Sequence, residues 1–171
     1  MLRQMSSVDS STMDLDQLTS LAGLMTSGPR LLGLYFAASW CPDCTPVTAL
    51  LKRAYERQAE KSVEILYVSS DLSASQMTSS MKTSHGDWLS IPFDDIEERR
   101  NLKRYFKAFA GKEASELGIS MSNRRPIPCL VLLDCKNHRI LTYDGVSDFS
   151  TSGSESDDAF QKWLKRVKDS S

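Results

Sequence analysis

The feature that most constrains the fold of this chain is a pair of cysteines at a strand-to-helix junction. An apolar run at residues 31–38 is typical of a buried strand. It leads into Ser39-Trp40-Cys41-Pro42-Asp43-Cys44, after which apolar positions recur at helical spacing. Two cysteines separated by two residues can close a disulfide within one helical turn, and the unpaired N–H groups and dipole of a helix start favour a thiolate at the first sulfur. The pattern therefore predicts thiol–disulfide exchange.

Length and composition indicate one domain. The chain has 171 residues, and its 40% hydrophobic content is enough for a single sizeable core. We expect residues 1–13, which are polar and rich in serine, to be disordered, and residues 14–171 to form one domain. Four unevenly spaced cysteines do not suggest a secreted disulfide scaffold.

Charge and hydropathy favour protein partners. The 21 basic and 22 acidic residues are interspersed and leave a net charge of −1, which suggests neither a nucleic-acid groove nor an anionic membrane surface. The first residues lack the apolar core of a signal peptide, and no later run approaches transmembrane length. We expect a monomer in the cytoplasm, and also in the nucleus, while Arg3 and the early serines leave organelle targeting open.

Periodicity predicts alternating helices and strands. A β-branched run at residues 63–68 follows the helix of the dithiol and completes a β-α-β unit. Two apolar runs at 128–133 and 139–143 flank a polar turn, as in an antiparallel hairpin. Further helices are predicted around residues 18–25, 75–83, 97–110 and 160–167, with a loop at 85–93. This order predicts an α/β fold with a central mixed sheet and helices on both faces.

Four segments, taken in order, resemble landmarks of the tryparedoxin and nucleoredoxin branch of the thioredoxin superfamily. They are Leu34-Tyr35-Phe36-Ala37-Ala38-Ser39-Trp40-Cys41-Pro42-Asp43-Cys44, Val68-Ser69-Ser70-Asp71, Trp88-Leu89-Ser90-Ile91-Pro92-Phe93-Asp94 and Ile127-Pro128-Cys129-Leu130. The resemblance covers most of the chain and rests on the order of the segments as well as on the Cys-x-x-Cys motif. It implies a thioredoxin-like fold.

The resemblance also implies that Cys41 is the exposed attacking cysteine and Cys44 the buried resolving one. The residues themselves favour the same assignment, because Cys41 lies at the helix start and Cys44 lies one turn in. The redox group would then be the Cys41–Cys44 disulfide, with no organic cofactor and no metal.

Further site residues follow from the same resemblance. Trp40 matches an indole that lies over the active site and contacts the partner, and Ile127-Pro128 matches the family's cis-proline, which faces the dithiol. We therefore place Trp40, Pro42, Ile127 and Pro128 at the substrate-binding surface. Tyr35 occupies the position at which thioredoxins carry a buried acid, so proton transfer is expected to run through water or another group. Ordinary core packing is the alternative role for both aromatic residues.

Asp43 is the unusual member of the motif, because Trp-Cys-Pro-Asp-Cys resembles small thioredoxin-related proteins that act on a narrower substrate set. Its carboxylate opposes thiolate formation through its charge, yet an anion in the first helical turn suits the helix dipole. These effects have opposite signs for the reactivity of Cys41, and the sequence leaves their balance open. A negative contact surface predicts a penalty against acidic partners. The alternative is a helix-terminal acid with no redox role.

The remaining cysteines and histidines have simpler predicted roles. Cys129 is expected to be a small buried hydrophobe on a strand, with regulatory oxidation as the alternative. Cys135 is expected to be an exposed thiol in a turn, and His85 and His138 to be surface residues. A zinc site that combined Cys129, Cys135 and His138 with the dithiol would require a different fold.

Two further expectations concern the surface. The basic residues of the 97–110 helix are predicted to form a solvated face. Extra residues at 110–115 and 118–125 are expected to shape the choice of partner, with Arg124 and Arg125 near the site.

Together these observations predict a thiol–disulfide oxidoreductase that reduces protein disulfides through Cys41 and Cys44. A separate electron donor must reset the pair, and it could be a thioredoxin reductase, glutathione or another low-molecular-weight thiol. The alternative function is a redox-sensitive binding module that holds a signalling partner in its dithiol form and releases it on oxidation.

Overall fold

The computed structural model describes residues 13–14, 18–149 and 159–169. The predicted disordered segment 1–13 lies outside the described residues except for Met13. Met13 is buried, and its backbone N–H donates a hydrogen bond to the carbonyl of His138 at 3.3 Å. No helix within the described ranges is long and apolar enough to cross a lipid bilayer.

Helices and strands alternate along the described residues, largely as the periodicity predicts. The strands are β1 (Leu31–Ala37), β2 (Val63–Ser69), β3 (Leu89–Ser90), β4 (Cys129–Asp134) and β5 (Arg139–Thr142). The helices are α1 (Thr19–Thr26), α2 (Cys44–Arg57), α3 (Ala74–Ser84), α4 (Ile96–Phe106), α5 (Ala114–Leu117) and α6 (Ala159–Asp169). Two 3₁₀ turns, Gly111–Glu113 and Gly145–Phe149, complete the order.

The five strands form one mixed sheet in the order β3-β2-β1-β4-β5. β1 pairs in parallel with β2 and antiparallel with β4, and the outer pairs are parallel β2 and β3 and antiparallel β4 and β5. Helix α2 is the crossover between the parallel strands β1 and β2. The predicted α/β fold with a central mixed sheet is confirmed.

Helices cover both faces of the sheet, which explains why β1 is apolar throughout. Every residue of this strand is buried. Tyr35 packs in one cluster with Leu51 of α2 and Trp163 of α6, whereas its neighbour Leu34 packs in a second cluster with Leu102 of α4. Successive side chains of a strand point to opposite faces, so each face receives its own core. The dithiol belongs to the first cluster and therefore lies on the face covered by α2 and α6.

The helix predicted at residues 97–110 ends at Phe106. Lys107 adopts a left-handed conformation with a φ of 52°, which breaks the helix and turns the chain away. The prediction extended too far because Phe109 continues the apolar pattern after the helix has ended.

The loop predicted at residues 85–93 contains the two-residue edge strand β3. Two residues are too few to produce an alternating pattern, so periodicity could not have revealed this strand. The lengthened region before Pro128 contains the first 3₁₀ turn and α5.

Candidate active site

The two cysteines of the motif lie in the turn between β1 and α2. The backbone N–H of Cys41 donates to the carbonyl of Ala38 at 3.3 Å, and that of Cys44 donates to the carbonyl of Cys41 at 3.2 Å. Helix α2 begins at Cys44, so this cysteine is the first helical residue. The spacing from Cys41 had predicted a position one turn inside the helix, and that prediction is wrong.

Both cysteines are buried, but to different degrees. Cys41 is 6% exposed and Cys44 is 1% exposed. The expectation that Cys41 is exposed is wrong. Cys41 belongs to an apolar cluster against which Trp40 and Ile127 pack. Cys41 is nevertheless the more accessible of the two.

Burial controls the acidity of Cys44. Loss of water is the largest cause that raises the pKa of this thiol well above its ordinary range, and a hydrogen bond with Cys41 acts in the same direction. The backbone of Ala38 opposes these effects, while the charges of Cys41 and Asp43 add to them. Cys44 is therefore a protonated thiol at neutral pH. The exposed Asp43 makes no side-chain hydrogen bond at the start of α2, and its charge opposes the ionisation of Cys44.

Tyr35 and Thr48 lie together beneath the start of α2. Their hydroxyl oxygens are 2.7 Å apart, and each hydroxyl donates to the carbonyl of Cys44, at 3.3 Å from Tyr35 and 3.0 Å from Thr48. Burial raises the pKa of Tyr35 far above its ordinary value, so the phenol stays neutral. Thr48 also lines a cavity of about 380 Å³ between α2 and α3 that extends to His85. The hydroxyl pair thus connects the backbone of the buried Cys44 with a cavity that is open to solvent.

A buried carboxylate, Asp71, fixes the turn before the dithiol. One of its oxygens accepts hydrogen bonds from the backbone N–H of Ser39 at 2.7 Å and from the Ser39 hydroxyl at 2.6 Å. The other accepts from the hydroxyls of Tyr67 at 2.9 Å and Ser69 at 2.7 Å. Sequence reasoning did not assign Asp71 to the site, although a polar residue directly after a buried strand was the available signal.

Trp40 is held at its edge and covered on its face. Its indole N–H donates to the carbonyl of Ser70 at 2.8 Å, at the end of β2. The Nζ atom of Lys112 lies 3.6 Å from the centre of the indole ring, within cation–π range. Lys112 comes from the first 3₁₀ turn, so the lengthened region contacts the site as expected, but through a residue that the sequence did not single out.

Glu113 anchors that 3₁₀ turn to α4 and to β2. One of its oxygens accepts from Lys103 at 2.6 Å, and the other accepts from the Ser70 hydroxyl and the Ala110 N–H, both at 2.8 Å. Lys103 is 2% exposed, so the prediction of a fully solvated basic face on this helix is wrong at this residue. The reason is that Glu113 compensates the buried charge.

The Ile127-Pro128 peptide bond is cis, as the resemblance implies. β4 begins directly afterwards, and Cys129 pairs with Phe36 near the end of β1. Pro128 therefore lies at the same end of the sheet as the turn that carries Cys41. Ile127 packs against both core clusters, while Pro42 is exposed beside the cysteines.

Arg124 and Arg125 lie on the other side of Pro128. Their guanidinium groups donate to the carbonyls of Phe109 and Phe106, at 3.0 and 2.7 Å. Both arginines line a cavity of about 310 Å³ together with Pro128. They are near the predicted substrate-binding surface, as expected, but they contact none of the dithiol residues.

The structure revises several minor predictions. Cys129 is buried as predicted, and burial raises its pKa to about 12. Cys135 is buried rather than exposed, and burial likewise raises its pKa to about 12. His85 is also buried, because it packs edge-on against Tyr67 with ring centres 4.5 Å apart and accepts a hydrogen bond from the indole N–H of Trp88 at 3.3 Å. Within the described ranges, no three His, Cys, Asp or Glu side chains are grouped so as to hold a metal ion.

Comparison with known proteins identifies the family of this arrangement. The family model described as thioredoxin-like matches residues 28–140, which is most of the chain. The chain belongs to the thioredoxin-like family. Nucleoredoxins are among its relatives, and tryparedoxins are among the solved structures that share its fold. This membership supports a thiol–disulfide oxidoreductase in general.

Among the relatives of this thioredoxin-like chain is nucleoredoxin of Danio rerio, which is 33% identical over 111 residues, covering 64% of this chain and 22% of that protein. Probable nucleoredoxin 1 of Arabidopsis thaliana is 28% identical over 147 residues, covering 82% of this chain and 21% of that protein. The chain thus spans about a fifth of the length of these two relatives.

Solved structures agree with the assignment of this thioredoxin-like fold. Thioredoxin from Wuchereria bancrofti has a TM-score of 0.61 and 28% identity, with coverage of 85% of this chain and 87% of that one. Tryparedoxin I from Leishmania major has a TM-score of 0.56 and 26% identity, with coverage of 74% and 75%.

Proposed function

We propose that this protein reduces disulfide bonds in partner proteins, with Cys41 as the nucleophile and Cys44 as the resolving thiol. The observation that supports this most directly is the unequal burial of the two cysteines at the start of α2, with Cys44 fully enclosed and kept protonated. A nucleophile needs contact with its partner, whereas a resolving thiol must stay inactive until the mixed disulfide has formed.

The first step is attack of the Cys41 thiolate on one sulfur of a partner disulfide. A bond forms between Cys41 Sγ and that sulfur, the partner's S–S bond breaks, and the second partner sulfur leaves as a thiolate that takes a proton from water. In the second step Cys44 transfers its proton to water and attacks Cys41 Sγ. This closes the Cys41–Cys44 disulfide and releases the first partner sulfur as a thiolate, so two electrons have passed to the partner.

The neighbouring residues assist each step. Trp40, Pro42, Ile127 and Pro128 form the surface against which the partner segment lies in the first step. In the second step Cys44 must give up a proton from a dry environment. The hydroxyls of Tyr35 and Thr48 donate to the carbonyl of Cys44. They thereby fix the start of α2 while the sulfur of Cys44 moves toward Cys41.

A thiol donor completes the cycle. The donor thiolate attacks the Cys41–Cys44 disulfide, forms a transient mixed disulfide and leaves the dithiol reduced when its second thiol closes the donor disulfide. A reductase and a low-molecular-weight dithiol both supply this chemistry. The redox group of the protein is the cysteine pair itself, without an organic cofactor.

The test is turnover of an oxidised protein disulfide by wild type, Cys41→Ser and Cys44→Ser, with each class of donor supplied separately. We expect turnover by wild type alone. Cys44→Ser should accumulate a covalent mixed disulfide that excess dithiol reduces. Cys41→Ser should form no mixed disulfide. If wild type turns over no disulfide with any donor, protein-disulfide reduction is rejected. If partners bind noncovalently and are released on oxidation without turnover, the redox-sensitive binding module is the function instead.

A further inference from the structure

A groove of about 290 Å³ opens beside Trp40, between α4 and the residues 111–117. We call it the α4 groove. Its near end is formed by Ser70 and Asp71, the residues that hold Trp40 and the turn before Cys41. A partner segment that is attached to Cys41 and passes Trp40 therefore meets the α4 groove next.

The rim of the α4 groove carries apolar side chains in contact with water. Leu72 is 67% exposed and Ile96 is 45% exposed, and both line the groove together with the half-buried Phe93. Exposed large apolar residues that share a rim beside a reactive site indicate a surface for a partner.

The charges of the α4 groove are unequally available. Its three acidic residues already have partners, since Asp71 accepts from Ser39, Glu113 pairs with Lys103, and Glu116 pairs with Arg100. Lys103 and Arg100 are thus occupied, and the remaining cationic residues that line the groove are Lys112 and Arg99.

Lys112 is exposed and, within the described ranges, has no carboxylate within ion-pair distance. Arg100 Nε is buried and has no hydrogen-bond partner among the described residues. The guanidinium of Arg99 lies over the ring of Phe93, 4.4 Å from its centre. The Nε of Arg99 donates to the carbonyl of Phe93 at 2.9 Å, so the donors that remain for a carboxylate are the amine of Lys112 and the terminal nitrogens of Arg99.

We propose that the α4 groove binds an extended segment of the disulfide-bearing partner in which an apolar residue is followed by a carboxylate. The proposal rests on the proposed function, because the segment is delivered by the bond between Cys41 and the partner. The apolar side chain contacts Leu72 and Ile96, and the carboxylate lies between Lys112 and Arg99. Asp43 does not line this groove, so an acid is disfavoured at the start of α2 and favoured beyond Trp40.

The experiment uses Cys44→Ser, which stops at the mixed disulfide, and cysteine peptides activated as disulfides with a small aromatic thiol. Three peptides are identical except at two positions. These positions hold leucine and glutamate in the first peptide, leucine and lysine in the second, and serine and glutamate in the third. The rate of mixed-disulfide formation is measured at low salt, with a small symmetrical disulfide as the reference. The leucine–glutamate peptide should react roughly fivefold faster than either of the others, a ratio that corresponds to about 1 kcal/mol.

Charge reversal assigns the preference to the groove. In the background of Cys44→Ser, Lys112→Glu should abolish or invert the preference for glutamate over lysine. The matched control is Lys162→Glu, which reverses an exposed charge on α6 and should retain the preference. Leu72→Ser should remove the preference for leucine over serine. Salt should weaken the charge preference and leave the apolar one, because exposed charges are screened.

The two proposals fail in different ways. If the small disulfide and all peptides react at equal rates, the α4 groove is not a docking site, while the proposed function stands. If Lys162→Glu removes the preference as strongly as Lys112→Glu, the effect comes from net charge and the groove is again rejected. If the small disulfide does not react either, the proposed function is rejected. The α4 groove is then rejected as well, because its occupant would be delivered by a bond to Cys41.

Discussion

The carboxylate of Asp71 holds Ser39 through two hydrogen bonds, at 2.7 Å from the backbone N–H and 2.6 Å from the hydroxyl. Ser39 lies two residues before Cys41, so a buried anion at the end of β2 fixes the turn that presents the nucleophile. Because hydrogen bonds to a charged acceptor are stronger than neutral ones, this connection is a major determinant of the position of Cys41.

Asp71→Asn should therefore weaken both the fold and the reaction. The amide keeps one acceptor oxygen but directs an NH₂ group toward hydroxyl donors, which we expect to lower the free energy of unfolding by about 2–3 kcal/mol. Loss of a fixed turn should slow mixed-disulfide formation by Cys41 by about tenfold. Urea unfolding gives the stability, and the rate is measured well below the unfolding midpoint so that the folded protein is compared.

Asp87→Asn is the matched control, because the Asp87 side chain is exposed. It should change stability by less than about 0.5 kcal/mol and leave the rate unaltered. Equal behaviour of the two variants would mean that the Asp71 carboxylate does not fix the turn.

Tyr35→Phe should affect the second chemical step more than the first. The variant removes the hydroxyl that contacts Thr48 and the Cys44 carbonyl, while Thr48 keeps its own bond to that carbonyl. We expect a stability loss of about 1 kcal/mol and a roughly fivefold slower release of the partner from the mixed disulfide. Single-turnover kinetics with a preformed mixed disulfide measures this step directly. A slower first step with an unchanged second step would contradict the assignment.

How much the sequence could predict depends on whether a feature is local. The apolar strand before Cys41 and the helix that follows Cys44 are adjacent in sequence, so periodicity was sufficient to predict both. The cis bond at Ile127-Pro128 was accessible only through resemblance, because an X–Pro sequence permits either isomer. Local pattern thus placed the dithiol, and resemblance placed the proline that lies at the same end of the sheet.

Contacts that join distant parts of the chain were not predictable. Ser39 and Asp71 are 32 residues apart, and a single acid in a loop has no period that would indicate its partner. Lys112 covers Trp40 from a region that the sequence marked only as longer than usual. His85 stands in a stretch of small polar residues that predicts a surface, yet Tyr67 and Trp88 enclose it.

Enclosure of His85 predicts a specific loss of stability in acid. Burial is the main cause that lowers its pKa from 6.5 to about 4, with Asp71 opposing. Between these two values the unfolded state binds a proton that the folded state does not, so stability falls as the pH falls from about 6.5 to about 4 and is unaffected by this group at higher pH. The loss should reach up to about 3 kcal/mol, measured by urea unfolding across the interval.

The comparison for this prediction is His85→Gln beside His138→Gln. His85→Gln should flatten the dependence of stability on pH between about 4 and 6.5, because it removes the titrating group. His138→Gln replaces the half-buried histidine of the β4–β5 turn and controls for the loss of an imidazole elsewhere in the chain. An identical slope in wild type and His85→Gln would show that His85 is protonated equally in both states.

The buried pair of Lys103 and Glu113 should be strongly coupled. Removal of the carboxylate in Glu113→Gln leaves the Lys103 charge without compensation in a site where burial already lowers the pKa of the amine, and we expect a cost of about 3 kcal/mol. Glu116→Gln is the matched control, because the side chain of Glu116 is 59% exposed in its pair with Arg100, and it should cost less than about 1 kcal/mol.

Addition of Lys103→Met to Glu113→Gln should recover most of the loss, since a methionine of similar length fills the site without a charge. Urea unfolding of the two single variants and the double variant completes a thermodynamic cycle. If the two single losses simply add in the double variant, the two side chains are not coupled, and Glu113 stabilises the 3₁₀ turn through Ser70 and Ala110 alone.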